Sequence, residues 1–337
     1  MTPTYNHEKY VGECIQSVLD QAFQEWEMII VDDGSTDRTA EIIREYEDQR
    51  IKYFRQDHVG PWKLGQTYNF AFSKSSGEYI AILEGDDYWP EEKLQVQYDS
   101  MENNPDCILS YGESVMVSES KKEIGHFYLP KDRSIMTNEP MGSSLAAFFD
   151  LQLFIPALTV LIRRSALERI GGFQHSQWVP AVDYPTWLRL CLEGPFLPIE
   201  NQYLGYWRRH KGSISIEYQL EAWKGMAAHN IYFLEQHQKQ IHGLGLNFDK
   251  MKLQEKLNAK LEKISKNISF EMGLLYLSLD QYKLARRMLL NHLLNKPNYR
   301  EKSFVYLGLI SSLIKIDLVY QYRRLRDGIK KWMRKQR

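Results

Sequence analysis

The chain has 337 residues, and 43 Lys+Arg balance 43 Asp+Glu, so overall charge marks no nucleic-acid partner and none is expected. Three widely spaced cysteines, Cys14, Cys107 and Cys191, fit neither a disulfide framework nor a cysteine zinc site and point to a reducing compartment, the cytoplasm. No signal peptide opens the chain, and its longest apolar run, Phe304 to Val319, is broken by Lys315 and Asp317, which excludes a membrane-spanning helix.

The first hundred residues alternate helix and strand signals. Val11 to Gln24 places Val11, Ile15, Val18, Leu19 and Ala22 at helical spacing. Met28 to Val31 is a continuous apolar run with β-branched residues, which predicts a buried strand. Gly34-Ser35-Thr36 is a turn and cap signal before a helix over Asp37 to Gln49. A strand over Ile51 to Gln56, a helix over Gly65 to Ser75, a buried strand over Glu78 to Leu83 and a helix over Glu91 to Asn103 follow. This repetition predicts an α/β domain with a Rossmann-like, mostly parallel sheet and helices on both faces. The chain opens at Met1-Thr2-Pro3-Thr4-Tyr5-Asn6, already in turn chemistry. The strand that normally begins such a sheet is therefore expected to be absent or truncated.

After Ser215 the composition changes. Gly and Pro thin out and Lys, Glu, Gln and Leu dominate. A boundary is placed there, with a first domain over 1–215 and a helical domain over 216–337. Within the latter, Gly273, Tyr276, Ala285 and Pro297 match the spacing of a tetratricopeptide-like helix pair. A single match fits equally an ordinary helical hairpin, and either could serve a protein partner.

Two acidic pairs stand where buried strands end: Asp32-Asp33 after Met28 to Val31, and Asp86-Asp87 after Tyr79 to Gly85. In open α/β sheets, ligands bind at the carboxyl ends of the strands. Paired carboxylates there build a poor core but hold a hard divalent cation well. Two further segments carry chemistry: Val182-Asp183-Tyr184-Pro185-Thr186-Trp187-Leu188-Arg189, with an Asp heading a helix, and Tyr206-Trp207-Arg208-Arg209-His210, a basic loop.

The succession Pro-Thr-Tyr-Asn (3–6), Val-Asp-Asp-Gly-Ser-Thr-Asp (31–37), Gly-Glu-Tyr-Ile-Ala (77–81) and Glu-Gly-Asp-Asp-Tyr-Trp (84–89) resembles the inverting glycosyltransferase family 2, of the GT-A fold, over about residues 1–215. The resemblance implies a nucleotide-sugar donor, UDP- or dTDP-linked, and a glycan, lipid-linked saccharide or protein hydroxyl as acceptor. It places Pro3, Thr4, Tyr5, Asp32, Asp33, Lys63, Asp86 and Arg208 at the donor, with Tyr5 and Asp33 at the base. It assigns Asp87, Asp86 and His210 to Mn2+ or Mg2+, and Asp183 to the catalytic base. An inverting displacement requires such a base, because the acceptor hydroxyl must lose a proton as it attacks. Three positions depart from the family pattern. Glu84 stands where Asp is commoner, Val182 where Glu precedes the base, and Tyr68 where Arg precedes Asn69, which leaves a phosphate contact to Lys63 or Arg208.

The last stretch, Arg323 to Arg337, carries eight cations against Asp327, interleaved with Leu325, Ile329, Trp332 and Met333 at helical spacing. That pattern suits a helix lying on an anionic membrane surface, here the inner face of the plasma membrane; it is also the pattern of a solvated tail. Two functions are set against each other: a metal-dependent inverting transferase, and a catalytically degenerate nucleotide-sugar-binding domain serving as a scaffold.

Overall fold

The computed structural model describes residues 1–294, 299–320 and 322. They fall into two compact units: Met1–Val117 with Gly125–Leu257, and Ser118–Ile124 with the described residues after Leu257.

The first unit is built on strands β1 (Thr2–Thr4), β2 (Met28–Asp32), β3 (Ile51–Arg55), β4 (Tyr79–Ala81), β5 (Leu109–Val117), β7 (Leu161–Arg163) and β8 (Phe196–Arg208), while β6 (Glu123–Phe127) straddles the division. β1, β2 and β3 pair in parallel, with Thr4 opposite Asp32 and Asp32 opposite Arg55. The other edge of β1 is also occupied. Met1 N donates to Ala81 O at 2.9 Å, Leu83 N to Met1 O at 3.0 Å and Gly85 N to Pro3 O at 3.1 Å. This is a parallel ladder that carries the β4 strand on past Ala81. β7 then joins β4 to β5 in antiparallel fashion, and β8 runs parallel to β5.

The opening residues are therefore a strand, so of the two expectations, absent or truncated, absence is corrected. The strand is three residues long, and Thr2, Pro3 and Thr4 are all buried. Pro3 lacks an N–H, but its carbonyl takes the bond from Gly85 N, so the ladder survives the proline.

Both faces of β2 are covered. Met28 and Ile30 pack with Val11, Ile15, Val18 and Ile43 from the helices Val11–Leu19 and Thr39–Arg44. The alternate residues Ile29 and Val31, also buried, face the other way, and the helix Leu64–Lys74 packs against β2.

The helix Gln219–Gly243 belongs to the first unit. Its Asn230 accepts from Tyr184 Oη at 2.8 Å and donates to Phe148 O at 3.0 Å. The change of composition at 215/216 is thus not the break between units, which lies after Leu257. Polar anchoring of this kind leaves no mark on composition.

The second unit is helical, with a core of Leu274, Leu277, Ala285, Leu289, Val305 and Val319. Gly273 allows close approach of helices, since a Cβ there would lie 2.7 Å from Leu289. Gly273 and Ala285 thus act as the small residues of a helical hairpin; Pro297 and the basic stretch Arg323 to Arg337 lie outside the described residues. Among the described residues no helix is long and apolar enough to cross a membrane.

Trp187, 1% exposed, is the largest fully buried side chain of the first unit and donates through Nε1 to Ile155 O at 3.2 Å. Trp187→Ala is expected to cost about 3–5 kcal/mol, read as a lowered urea midpoint with an unchanged slope.

Candidate active site

β1, β2 and the extended β4 run parallel, so their carboxyl ends share one edge, and Thr4, Asp32-Asp33 and Asp86-Asp87 are delivered there together.

The two members of the first pair have separate tasks. Asp32, fully buried, accepts from Ser35 N at 2.8 Å and Tyr53 Oη at 2.9 Å, which shapes the turn after β2. Asp33 accepts from Val59 N at 2.9 Å, Gly60 N at 3.0 Å and Gln56 Nε2 at 2.7 Å, and pairs with His58 Nδ1 at 2.9 Å. It thereby fixes the loop 56–60. His58 in turn stacks on Tyr5, with ring centroids 4.0 Å apart and Tyr5 38% exposed. Tyr5, Asp33 and His58 make one corner with an aromatic face and a carboxylate. Lys63 is exposed at the end of the short turn Pro61–Lys63, which Gly60 opens.

The second pair lies in a loop held by the end of β8. Tyr88 and Tyr206 exchange backbone hydrogen bonds and stack at 4.6 Å. Arg208 N donates to Asp87 Oδ1 at 2.7 Å, and Arg208 Nε to Asp86 O at 2.8 Å. The Arg208 guanidinium also reaches Glu13 Oε2 at 2.5 Å and packs over the rings of Tyr10 and Tyr88. At 1% exposure it is enclosed, not presented to a ligand. It serves the acidic loop as a clamp.

Two groups of candidate ligand atoms share Asp86: Glu84, Asp86 and Asp87; and His7, Asp86 and His210, each set within 4.8 Å. His210 Nε2 lies 3.0 Å from Asp86 Oδ2, and His7 Nε2 lies 4.0 Å from the same oxygen. Burial opposes ionisation of Asp86, but His7 and His210 outweigh it and hold its pKa down at about 2. Burial, then Asp86, pushes Glu84 up to about 7 against the bond it accepts from Tyr68 Oη at 2.7 Å. Burial, then Asp86 and Glu84, also raises Asp87 well above the usual range. Burial lowers His7. Like charges crowded into a buried loop repel, and a divalent cation relieves that repulsion. Carboxylate oxygens with imidazole are a donor set that fits one.

Asp183 heads the helix Asp183–Leu190, anchored by Trp187 and by Tyr184, whose Oη lies 2.7 Å from Phe148 O. Burial raises its pKa, against a bond from Tyr184 N at 2.8 Å. Contacts lead from its helix to the acidic loop: Thr186 Oγ1 accepts from Gln174 N at 3.0 Å, the adjacent Phe173 packs on Tyr68, and Tyr68 Oη donates to Glu84 at 2.7 Å. The helix Leu64–Lys74 completes this side: Asn69 bonds both N and O of Phe173, and Phe173 packs on Tyr68. Tyr68, at the position of the family's Arg, is thus a hydrogen-bond donor to Glu84.

The strand ends bring Asp33, Asp86 and Asp87 to one edge, His210 reaches Asp86 there, and Asp183 heads a helix linked to Glu84 through Gln174, Phe173 and Tyr68. The structure adds His7 and His58, which the sequence reading did not single out, and Arg209, which appeared there only as part of the basic loop. His7 directly follows the Pro3–Asn6 motif, and that adjacency was the available signal. Arg209 is 6% exposed, donates to Ser215 Oγ at 2.7 Å, and is lowered to about 10 by burial.

Between pH 4.5 and about 7 the folded form retains the Glu84 proton that the unfolded chain releases. Folding takes up a proton there, so Glu84 makes stability fall as pH rises through that window. Glu84→Gln is expected to remove this component of the slope in thermal melts of the cation-free protein. Parallel wild-type and variant profiles would refute it.

The family model described as "Glycosyl transferase family 2" matches residues 1–171. The glycosyltransferase TuaG of Bacillus subtilis (strain 168) is 32% identical over 246 residues, 72% of this chain and 88% of that protein. The UDP-Glc:alpha-D-GlcNAc-diphosphoundecaprenol beta-1,3-glucosyltransferase WfgD of Escherichia coli is 28% identical, over 63% of this chain and 77% of its own. Among solved structures, S. aureus TarS 1-349 in complex with UDP-GlcNAc superposes with a TM-score of 0.53 at 19% identity, covering 98% of this chain and 90% of that one. This likeness concerns the GT-A fold.

Proposed function

The chain belongs to glycosyl transferase family 2 and is a glycosyltransferase; from that premise we propose that it is an inverting enzyme that moves a sugar from a UDP-linked donor to a hydroxyl of a lipid-linked saccharide. The names of WfgD, with its UDP-Glc donor and diphosphoundecaprenol-linked acceptor, and of TarS with UDP-GlcNAc support the donor and acceptor classes. The observation that carries the mechanism is Asp183, a half-buried carboxylate heading a helix that is linked through Gln174, Phe173 and Tyr68 to Glu84 of the acidic loop.

In this reading the uracil lies against Tyr5, with Asp33 and the loop 56–60 reading its edge. Pro3 and Thr4 form the floor between the base corner and the acidic loop. Asp86 holds the ribose and, with Asp87 and His210, would hold Mn2+ or Mg2+; when bound, the ion supplies positive charge for the departing diphosphate. Lys63, exposed at the end of its turn, adds a cation on the donor side. Arg208 contributes by fixing Asp86 and Asp87. Asp183 accepts the acceptor hydroxyl's proton as the new C–O bond forms at the anomeric carbon and the bond to the diphosphate breaks. A single displacement of this kind inverts the anomeric configuration.

Asp183→Asn is expected to lower kcat by about 10²–10⁴-fold while leaving UDP affinity near that of the wild type. Loss of UDP binding together with turnover would instead mark Asp183 as structural. Because burial raises the Asp183 pKa, the inactive protonated form persists to higher pH. The acidic limb of the kcat/KM profile is therefore expected above the ordinary aspartate pKa of about 3.9. The degenerate-scaffold alternative requires that neither transfer nor donor hydrolysis occur with any UDP-sugar.

A further inference from the structure

We infer that His7 joins Asp86 and His210, beside Asp87, so that two imidazoles as well as carboxylate oxygens face the cation and the donor site prefers a first-row transition cation to Mg2+. The inference rests on the cation-dependent donor site proposed above and assigns it a ligand, His7, and a selectivity.

The geometry is specific. Nε2 of His210 and Nε2 of His7 approach the same oxygen, Asp86 Oδ2, at 3.0 and 4.0 Å, and the three candidate ligand atoms lie within 4.8 Å of one another. Small side-chain shifts bring such atoms onto one ion. His7 is also held from every other side. Its N donates to Thr39 Oγ1 at 2.8 Å, its O accepts from Tyr10 N and Val11 N at 2.9 Å each, and its Nδ1 lies 3.1 Å from Thr4 Oγ1. A bond at Nδ1 orients the ring and leaves Nε2 for the site, the arrangement that metal-binding histidines use.

Gly85 is the counterpart on the acidic loop. A Cβ there would stand 2.4 Å from Thr4 Oγ1 and 2.8 Å from His7 Nδ1. Only glycine lets the chain pass against the Thr4–His7 pair, and that passage sets Asp86 beneath the two imidazoles. The all-oxygen alternative is less free to bind. Glu84 Oε1 already takes the Tyr68 O–H, and Asp87 Oδ1 takes the Arg208 N–H. Imidazole nitrogen suits transition cations, whereas Mg2+ is selective for oxygen and near-ideal octahedral geometry.

The test uses the full chain with UDP and Mn2+ as the probe. Pulsed electron paramagnetic resonance counts the nitrogens on the ion, and titration of free Mn2+ with Mg2+ competition gives both affinities. The wild type is expected to show two imidazole nitrogens, and His7→Gln and His210→Gln one each. His7→Gln is expected to weaken Mn2+ by about tenfold or more, the scale for loss of a group that supports a metal site, with Mg2+ affinity unchanged. One nitrogen or none in the wild type, with Mn2+ and UDP bound, overturns the role of His7 but leaves a cation-dependent donor site standing. That outcome needs no variant to fold. Equal weakening of Mn2+ and Mg2+ in His7→Gln overturns the selectivity. No Mn2+ uptake with UDP, together with undiminished transfer in chelator, overturns the cation-dependent reading itself.

Discussion

The site depends on one short piece of backbone, Thr2–Thr4, bonded along both edges. On one side it is in register with β2, and Asp33 N donates to Thr4 O at 2.9 Å. On the other, Met1 and Pro3 carry the ladder to the chain leading into Gly85 and Asp86. Because all three run the same way, two carboxylate pairs about fifty residues apart in sequence open onto the same edge. Each strand is too short to hold this register alone; Thr2–Thr4 makes the two acidic loops one site.

The second constraint is electrostatic. Glu84, Asp86 and Asp87 lie in one loop and act on one another, and Asp183 acts on Glu84 from the neighbouring helix. The protein answers this crowding unevenly. Asp86 is kept ionised by two histidines, whereas Glu84 and Asp87 are pushed up, and the Arg208 amide is bonded to Asp87. Groups of one chemical type are thereby given different protonation and different tasks, the usual means by which a fold runs acid and base chemistry side by side. Asp183 stands apart from this set on a helix whose Trp187 is sunk in the core, so the proposed base and the proposed donor cradle have independent supports.

Much of this was legible in the sequence, because its signals are local. The apolar runs Met28 to Val31 and Tyr79 to Leu83 announce buried strands, and the acids directly after them mark the strand ends that share one edge. The helical spacing around Trp187 places Asp183 at a helix start. What was not legible depends on partners distant in sequence. Thr2-Pro3-Thr4 has the composition of a turn and becomes a strand only because two neighbours bond to it. Arg208 has the composition of a phosphate ligand, yet Glu13, Tyr10 and Tyr88 enclose it. The helix Gln219–Gly243 reads like the helices that follow it, yet Asn230 ties it to Tyr184 and Phe148 in the first unit. His7 has no helical or strand period to mark it; its meaning comes from Asp86, seventy-nine positions away.

The central claim is a single displacement at the anomeric carbon, with Asp183 taking the acceptor proton. The most direct measurement is the anomeric configuration of the first-formed product, by proton NMR, from an α-linked UDP-sugar and a saccharide acceptor. A β-linked product is expected. An α-linked product would require retention, and with it a nucleophile or a front-face path that a lone base at Asp183 does not provide.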